Sequence, residues 1–195
     1  MKSNRTEIIF LLDRSGSMSG LESDTIGGFN AFIEKQCKLE GEVSLTTVLF
    51  DDQYEVLWNG IDANRAKLTH EDYFVRGTTA LLDAVGKTIL EVDGRQSKTQ
   101  EKRRPGKTIF VITTDGMENA SREFTHEKVK KLINLQEEKH RWEFIFIGAN
   151  IDAAKEADTI GIKAESAFEF TASEKGVEMM YEMVNENVSR RRMNR

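Results

Sequence analysis

The sequence predicts an α/β fold: a Rossmann-like, open, mostly parallel sheet with one antiparallel edge strand and helices on both faces. Three observations carry this. Short apolar runs of strand length recur along the chain, as strands buried on both faces require. Segments with apolar residues at helical spacing alternate with them, the pattern of parallel strands joined by crossovers. One pair of strand-like segments is separated by only a few residues, which allows an antiparallel hairpin.

The elements follow in order. Glu7–Leu12 is a continuous apolar run and reads as the first strand. A helix is expected from Ser23 to Leu39, with Ile26, Phe29, Ile33 and Cys37 at helical spacing. Val43–Phe50 is rich in β-branched residues and reads as a strand. Asp51-Asp52 turns the chain, and Tyr54–Ile61 returns as the antiparallel edge. A second helix begins after Thr78-Thr79 and is marked by Leu81, Leu82, Val85, Ile89 and Val92. Gly94–Lys107 is polar and basic and holds the only proline, so a loop is expected. Thr108–Asp115 is a buried strand. Thr125–Glu138 is a helix with Val129, Leu132 and Ile133 inward, and Trp142–Gly148 is the next strand. A short helix at Asp152–Ile160, a short strand at Ala167–Phe170 and a helix at Ser173–Ser189 complete the pattern.

The 195 residues are expected to form a single domain, 1–195, with a core over about 6–189 and a basic tail over 190–195. With 31% charged and 38% hydrophobic residues, the chain reads as soluble and globular. A net charge of −5 argues against general nucleic-acid affinity. Cys37 is the only cysteine, so no disulfide framework exists within the chain, which suits a reducing compartment. Ile8–Leu12 is too short to span a membrane. Lys2 and Arg5 precede it, but no small-residue cleavage site follows. The expected location is the cytoplasm, with no membrane partner.

The chemistry concentrates at strand ends. Asp13 ends the first strand and Asp115 ends Thr108–Asp115. In an open parallel sheet, ligands bind at the carboxyl ends of strands, so neighbouring placement would bring the two carboxylates together. Ser15 and Ser17 follow Asp13 at alternate positions and can face the same point. Gly16 allows a tight turn between them. Thr78-Thr79, at the mouth of a helix, offers a further hydroxyl. Oxygen donors without Cys or His suit a hard cation: Mg²⁺ first, with Mn²⁺ or Ca²⁺ as alternatives. Such an ion would offset the cost of burying two carboxylates.

These residues resemble the von Willebrand factor A domains, whose metal-ion-dependent adhesion site has the pattern DxSxS, a distant Thr, and a distant Asp followed by Gly. Here they are Asp13-Arg14-Ser15-Gly16-Ser17, Thr79 within RGTTALLDA, and Asp115-Gly116 within ITTDG. Thr79 is preferred to Thr78 because TALLDAV matches the family's run into the helix. Gly77-Thr78 stands where the family often has Gly-Gly. The resemblance implies that the Ser15, Ser17 and Thr79 hydroxyls approach the ion directly. Asp13 and Asp115 would act largely through waters or hydroxyls. Neutral ligands leave the ion much of its charge and one position open. The implied function is metal-dependent binding of a protein partner through its Glu or Asp carboxylate, without catalysis.

Other readings compete. Asp13 and Asp115 could each be an ordinary turn or cap residue. Asp13 could be the nucleophile of a Mg²⁺-dependent phosphatase-like hydrolase, but that class usually needs a second Asp two residues on, where Ser15 stands. Neither GxxxxGK[ST] nor GxGxxG follows a strand. His70, His126 and His140 read as surface residues, and Cys37 as a core thiol. The basic runs Lys102–Arg104 and Arg190–Arg192 read as solvated surface. Asp83 reads as a first-turn charge favourable to the helix. Asn119 and Asn150 are candidates for the rim of the site.

Overall fold

The computed structural model describes residues 4–194. Lys2, cited above for a signal segment, and the extreme ends of the expected domain lie outside them. Six strands form one sheet: β1 (Arg5–Asp13), β2 (Glu42–Phe50), β3 (Tyr54–Asp62), β4 (Lys107–Thr114), β5 (Glu143–Ala149) and β6 (Ala167–Phe170). Their order is β3-β2-β1-β4-β5-β6. All pairings are parallel except β2 with β3. The chain builds outward from β1 to β3, then crosses back to β4. Strand order therefore reverses between β1 and β4, where open sheets place ligands.

Five α-helices cover the sheet: α1 (Glu22–Cys37), α2 (Leu81–Lys98), α3 (His126–Leu135), α4 (Ala153–Thr159) and α5 (Glu174–Met193). Alternation along the strands divides the core in two. Ile8, Phe10 and Leu12 face α1 and α5, whereas Ile9 and Leu11 face α2, α3 and α4. Phe10 lies 5.3 Å from Phe29 and 5.6 Å from Phe32, both edge-on, and 6.2 Å from Tyr181 in a stacked arrangement. Each such side chain contributes about 1.5–3 kcal/mol by leaving water. No helix among the described residues is long and apolar enough to cross a membrane.

Three segments depart from the sequence reading. The expected loop Gly94–Lys107 is helical through Lys98. Gln96 donates to Glu7 Oε2 at 2.9 Å, and Arg95 also bonds Glu7, so β1 holds the last turn of α2 in place. Arg104 then turns back and donates to Ser97 O and Thr99 O, closing the helix end. The expected helix Thr125–Glu138 becomes a π turn over Gln136–His140, ending on Arg141 in a left-handed conformation (φ 56°). The basic run expected as a tail is the end of α5. Arg191 donates to Glu143 and Ser166, and Arg192 to the carbonyls of Gln36, Glu40 and Gly41. Those carbonyls lie at and beyond the negative end of α1, which stabilises a cation.

The α1–α5 contact depends on one small residue. A Cβ on Gly28 would lie 2.2 Å from the Tyr181 ring, whereas a Cβ on neighbouring Gly27 would meet nothing within 4 Å. Urea unfolding should therefore separate two identical substitutions. Gly27→Ala should gain roughly 0.5–1 kcal/mol from helix propensity. Gly28→Ala should lose stability, because Tyr181 must leave its place against α1.

Candidate metal centre

The β1–β4 pairing puts Asp13 and Asp115 at adjacent strand ends, only 2% and 3% exposed. Asp13 Oδ1 accepts from Ser15 N at 2.7 Å, and Oδ2 accepts from the Thr114 hydroxyl at 2.7 Å. Its main-chain oxygen accepts from the Tyr73 hydroxyl at 2.7 Å. Asp115 Oδ1 accepts from Ser17 Oγ at 2.7 Å and from Ser15 Oγ at 3.4 Å, and the two serine oxygens lie 3.3 Å apart. Ser15 is buried, while Ser17, in a 3-10 turn over Gly16–Met18, is exposed at the mouth.

Thr79 closes the cluster. A Cβ built on Gly116 would lie 3.3 Å from Thr79 Oγ1 and 3.7 Å from Ser17 Oγ, so both hydroxyls face the backbone that follows Asp115. Thr79 is buried and Thr78 exposed, which separates the two candidates. The five residues Asp13, Ser15, Ser17, Thr79 and Asp115, drawn from three separate stretches of chain, thus meet at one point.

Its electrostatics are unbalanced. Burial pushes the Asp13 carboxyl up to about 6, against hydrogen bonds from Ser15 and Thr114, and the neighbouring Asp115 charge adds to the shift. Burial also raises Asp115, against its bonds to Ser17 and Ser15. Among the described residues no lysine or arginine side chain offsets the burial of either group. Asp115 Oδ2 is buried without a hydrogen-bond partner. An acceptor so placed, beside three hydroxyls, fits a hard divalent cation held by oxygen donors. Among the described residues no three His, Cys, Asp or Glu side chains gather to hold a metal, so this centre is defined by its hydroxyls.

The loops around it are fastened by a buried ion cluster that the sequence reading missed. Asp51, read as a turn residue, is fully buried. Its Oδ2 accepts from Arg14 Nε at 3.0 Å and from Arg76 Nε at 2.7 Å, and its main-chain oxygen accepts from Ala80 N at 2.8 Å. Arg14, 0% exposed, reaches Glu55 at 2.7 Å. One carboxylate therefore ties the DxSxS turn to the loop that delivers Thr79. Gly77 in that loop has φ +68°, and a Cβ there would lie 2.1 Å from Asp52 Oδ1.

A second fastening comes from beyond Asp115. Asn119 Oδ1 accepts from Thr79 N at 2.9 Å, and Asn119 N donates to Thr79 O at 3.0 Å. Glu118 accepts from Leu82 N at 2.9 Å, supplying the start of α2 with an acceptor that Ala80, its N-cap, lacks. Asp83 is more than a first-turn charge: it accepts from the backbone N–H groups of Arg122, Glu123 and Phe124 and holds their loop. A helix entered through Ala80, with no capping side chain, was the available sign that an outside acceptor is needed. Asn150 lies after β5 in a left-handed conformation (φ 58°) and makes no hydrogen bond to the cluster. His70, His126 and His140 are exposed, and Cys37 is half-buried at the core margin.

No protein-family model and no curated protein matches the sequence. Solved structures do. Proximal thread matrix protein 1 from the mussel byssus, with a zinc-occupied MIDAS motif, superposes with a TM-score of 0.68 at 17% identity, over 96% of this chain and 47% of that one. The ArnB paralog VWA2 from Sulfolobus acidocaldarius matches with a TM-score of 0.59 at 15% identity, over 91% and 44%. Manganese-loaded TRAP protein of Plasmodium vivax matches with a TM-score of 0.56 at 17% identity, over 76% and 58%. The chain spans about half the length of the mussel protein. Its fold is that of the von Willebrand factor A domains.

Two stability measurements test this account. Asp51→Ala removes the carboxylate shared by Arg14 and Arg76, leaves the buried Arg14 only the half-exposed Glu55, and should cost about 3 kcal/mol in denaturant unfolding. For Asp13 the folded form holds its proton more tightly than the unfolded chain does. Its favourable contribution is complete below pH 4 and is lost as pH rises through about 6. In chelator, Asp13→Asn should therefore melt above the parent at pH 8, and the difference should vanish near pH 4. The Thr114 hydroxyl can turn to Gly116 O, 3.2 Å away, to accept the new amide.

Proposed function

We propose that this domain is a divalent-metal-dependent protein-binding module that captures a Glu or Asp carboxylate of its partner. The observation that carries this is the unpartnered, buried Asp115 Oδ2 beside the Ser15, Ser17 and Thr79 hydroxyls. Asp13, Ser15, Ser17, Thr79 and Asp115 would hold the ion, with Mg²⁺ the assigned metal. Once bound, the ion offers a strongly positive point to an incoming carboxylate oxygen, because three of the five donors are neutral. The chain's own part is to keep those hydroxyls gathered, to exclude water from the two carboxylates, and to leave Ser17 facing the mouth. The zinc-occupied MIDAS motif of the mussel protein and the manganese-loaded state of the Plasmodium protein support the choice of a divalent ion.

The domain is read as non-enzymatic. No acid stands two residues after Asp13, where Ser15 lies. The missing general acid weighs against the phosphatase-like alternative. The cytoplasm is the proposed compartment, on the ground of the single thiol Cys37.

Calorimetric titration of Mg²⁺ and Mn²⁺ into chelator-treated protein tests the proposal. Saturable binding is expected in the parent, lost in Asp13→Ala and weakened at least tenfold in Thr79→Ala. Saturation at about a hundred times the dissociation constant should add ~2.7 kcal/mol to stability. Equal binding by parent and both variants would overturn the assignment.

A further inference from the structure

The rim of the metal centre carries two large apolar side chains in solvent. Phe74 is 44% exposed and Met117 65%. Each belongs to a loop that builds the centre. Tyr73, beside Phe74, donates to Asp13 O, and Met117 follows Gly116, whose backbone faces the Thr79 and Ser17 hydroxyls.

The loops that carry them are anchored on opposite sides of β1. The Phe74 ring lies 5.5 Å from the Arg14 guanidinium and 5.3 Å from that of Arg76, the two cations that grip Asp51 just past the end of β2. Met117 follows the end of β4. β1, which delivers Asp13, runs between those strands.

Phe74 is fixed without being buried. Two guanidinium groups attract its ring, and both are tethered to one buried carboxylate. An aromatic ring ordered in advance surrenders little freedom on binding, which is the character of an interface anchor. The loops that build the rim also expose polar residues, Ser19, Thr78 and Asn119. These can hydrogen-bond the main chain of an extended segment; a helix has already satisfied its own.

We propose that the partner offers an extended segment in which large apolar side chains stand two residues before and two residues after the acidic residue. This rests on the reading of the centre as a carboxylate receptor. In an extended chain, residues i−2, i and i+2 share one face, each about 7 Å from the next. From i−2 to i+2 such a segment spans about 14 Å, enough to cross the ends of β2 and β4, which lie two strand spacings, about 10 Å, apart. The acidic side chain then drops into the centre while its neighbours meet Phe74 on one side and Met117 on the other.

The test is a displayed peptide library with a fixed central Asp or Glu and randomised flanks, selected in Mg²⁺ and eluted with chelator. Apolar residues should be enriched at −2 and +2. Phe74→Ala should erase the preference at one position and Met117→Ala at the other. Each substitution should weaken a selected peptide by about tenfold while Mg²⁺ affinity stays that of the parent. Metal-dependent peptides without flanking preference, with preference at helical spacing, or with preferences unchanged in both variants would overturn this inference alone. Peptides retained equally in chelator, or none retained while calorimetry shows Mg²⁺ bound, would overturn the carboxylate-receptor reading as well.

Discussion

Asp13 and Asp115 are removed from water side by side because β1 and β4 are neighbours where the strand order reverses. A charge in that position has lost its solvent and must be met by something else. The protein meets it partly, with Ser15 N, Thr114 Oγ1 and the two serine hydroxyls, and leaves one Asp115 oxygen without a partner. Hydroxyls are the donors suited to this task. They can donate to a carboxylate in one state and turn their lone pairs to a cation in another. Lysine or arginine in their place would neutralise the carboxylates permanently.

Holding three hydroxyls at one point requires that three stretches of chain be fixed relative to one another. Asp51 does this for two of them, binding Arg14 from the first loop and Arg76 from the second through one oxygen. Asn119 joins the third to Thr79. The arrangement carries a risk, since a buried ion pair stabilises little in itself and becomes costly when broken. Its use here is geometric: charge-assisted bonds from two cations leave the Asp51 carboxylate little freedom to move.

Much of this was legible in the sequence, for physical reasons that also explain the failures. Strands buried on both faces must be apolar throughout, so β1, β4 and β5 announced themselves. Asp13, Ser15 and Ser17 lie within five residues, where strand-end placement and local spacing suffice. Asp51 was illegible because Asp-Asp between two strands is what an ordinary turn looks like. Only the arrival of Arg14, 37 positions away, converts it to a buried hub. Asp83 concealed its role likewise, since its partners are backbone N–H groups, which no side-chain pattern reveals. The inward-turned arginines of α5 fall in the same class. A run of three reads as solvated charge until the carbonyls at the far end of α1 are placed beside it.

The edges of the sheet carry a different consequence. β6 has four residues, and β3 pairs with β2 through register shifts between Leu45 and Val48. Short or irregular edges make poor templates for another strand. Stacking of copies through backbone ladders, the nearly irreversible route to fibres, is thereby disfavoured. Association that runs through a metal-held carboxylate has the opposite character: it can be dissolved by withdrawing the ion. The geometry of the edges thus steers the molecule away from lasting aggregation, and the association proposed here would come apart when its ion is withdrawn.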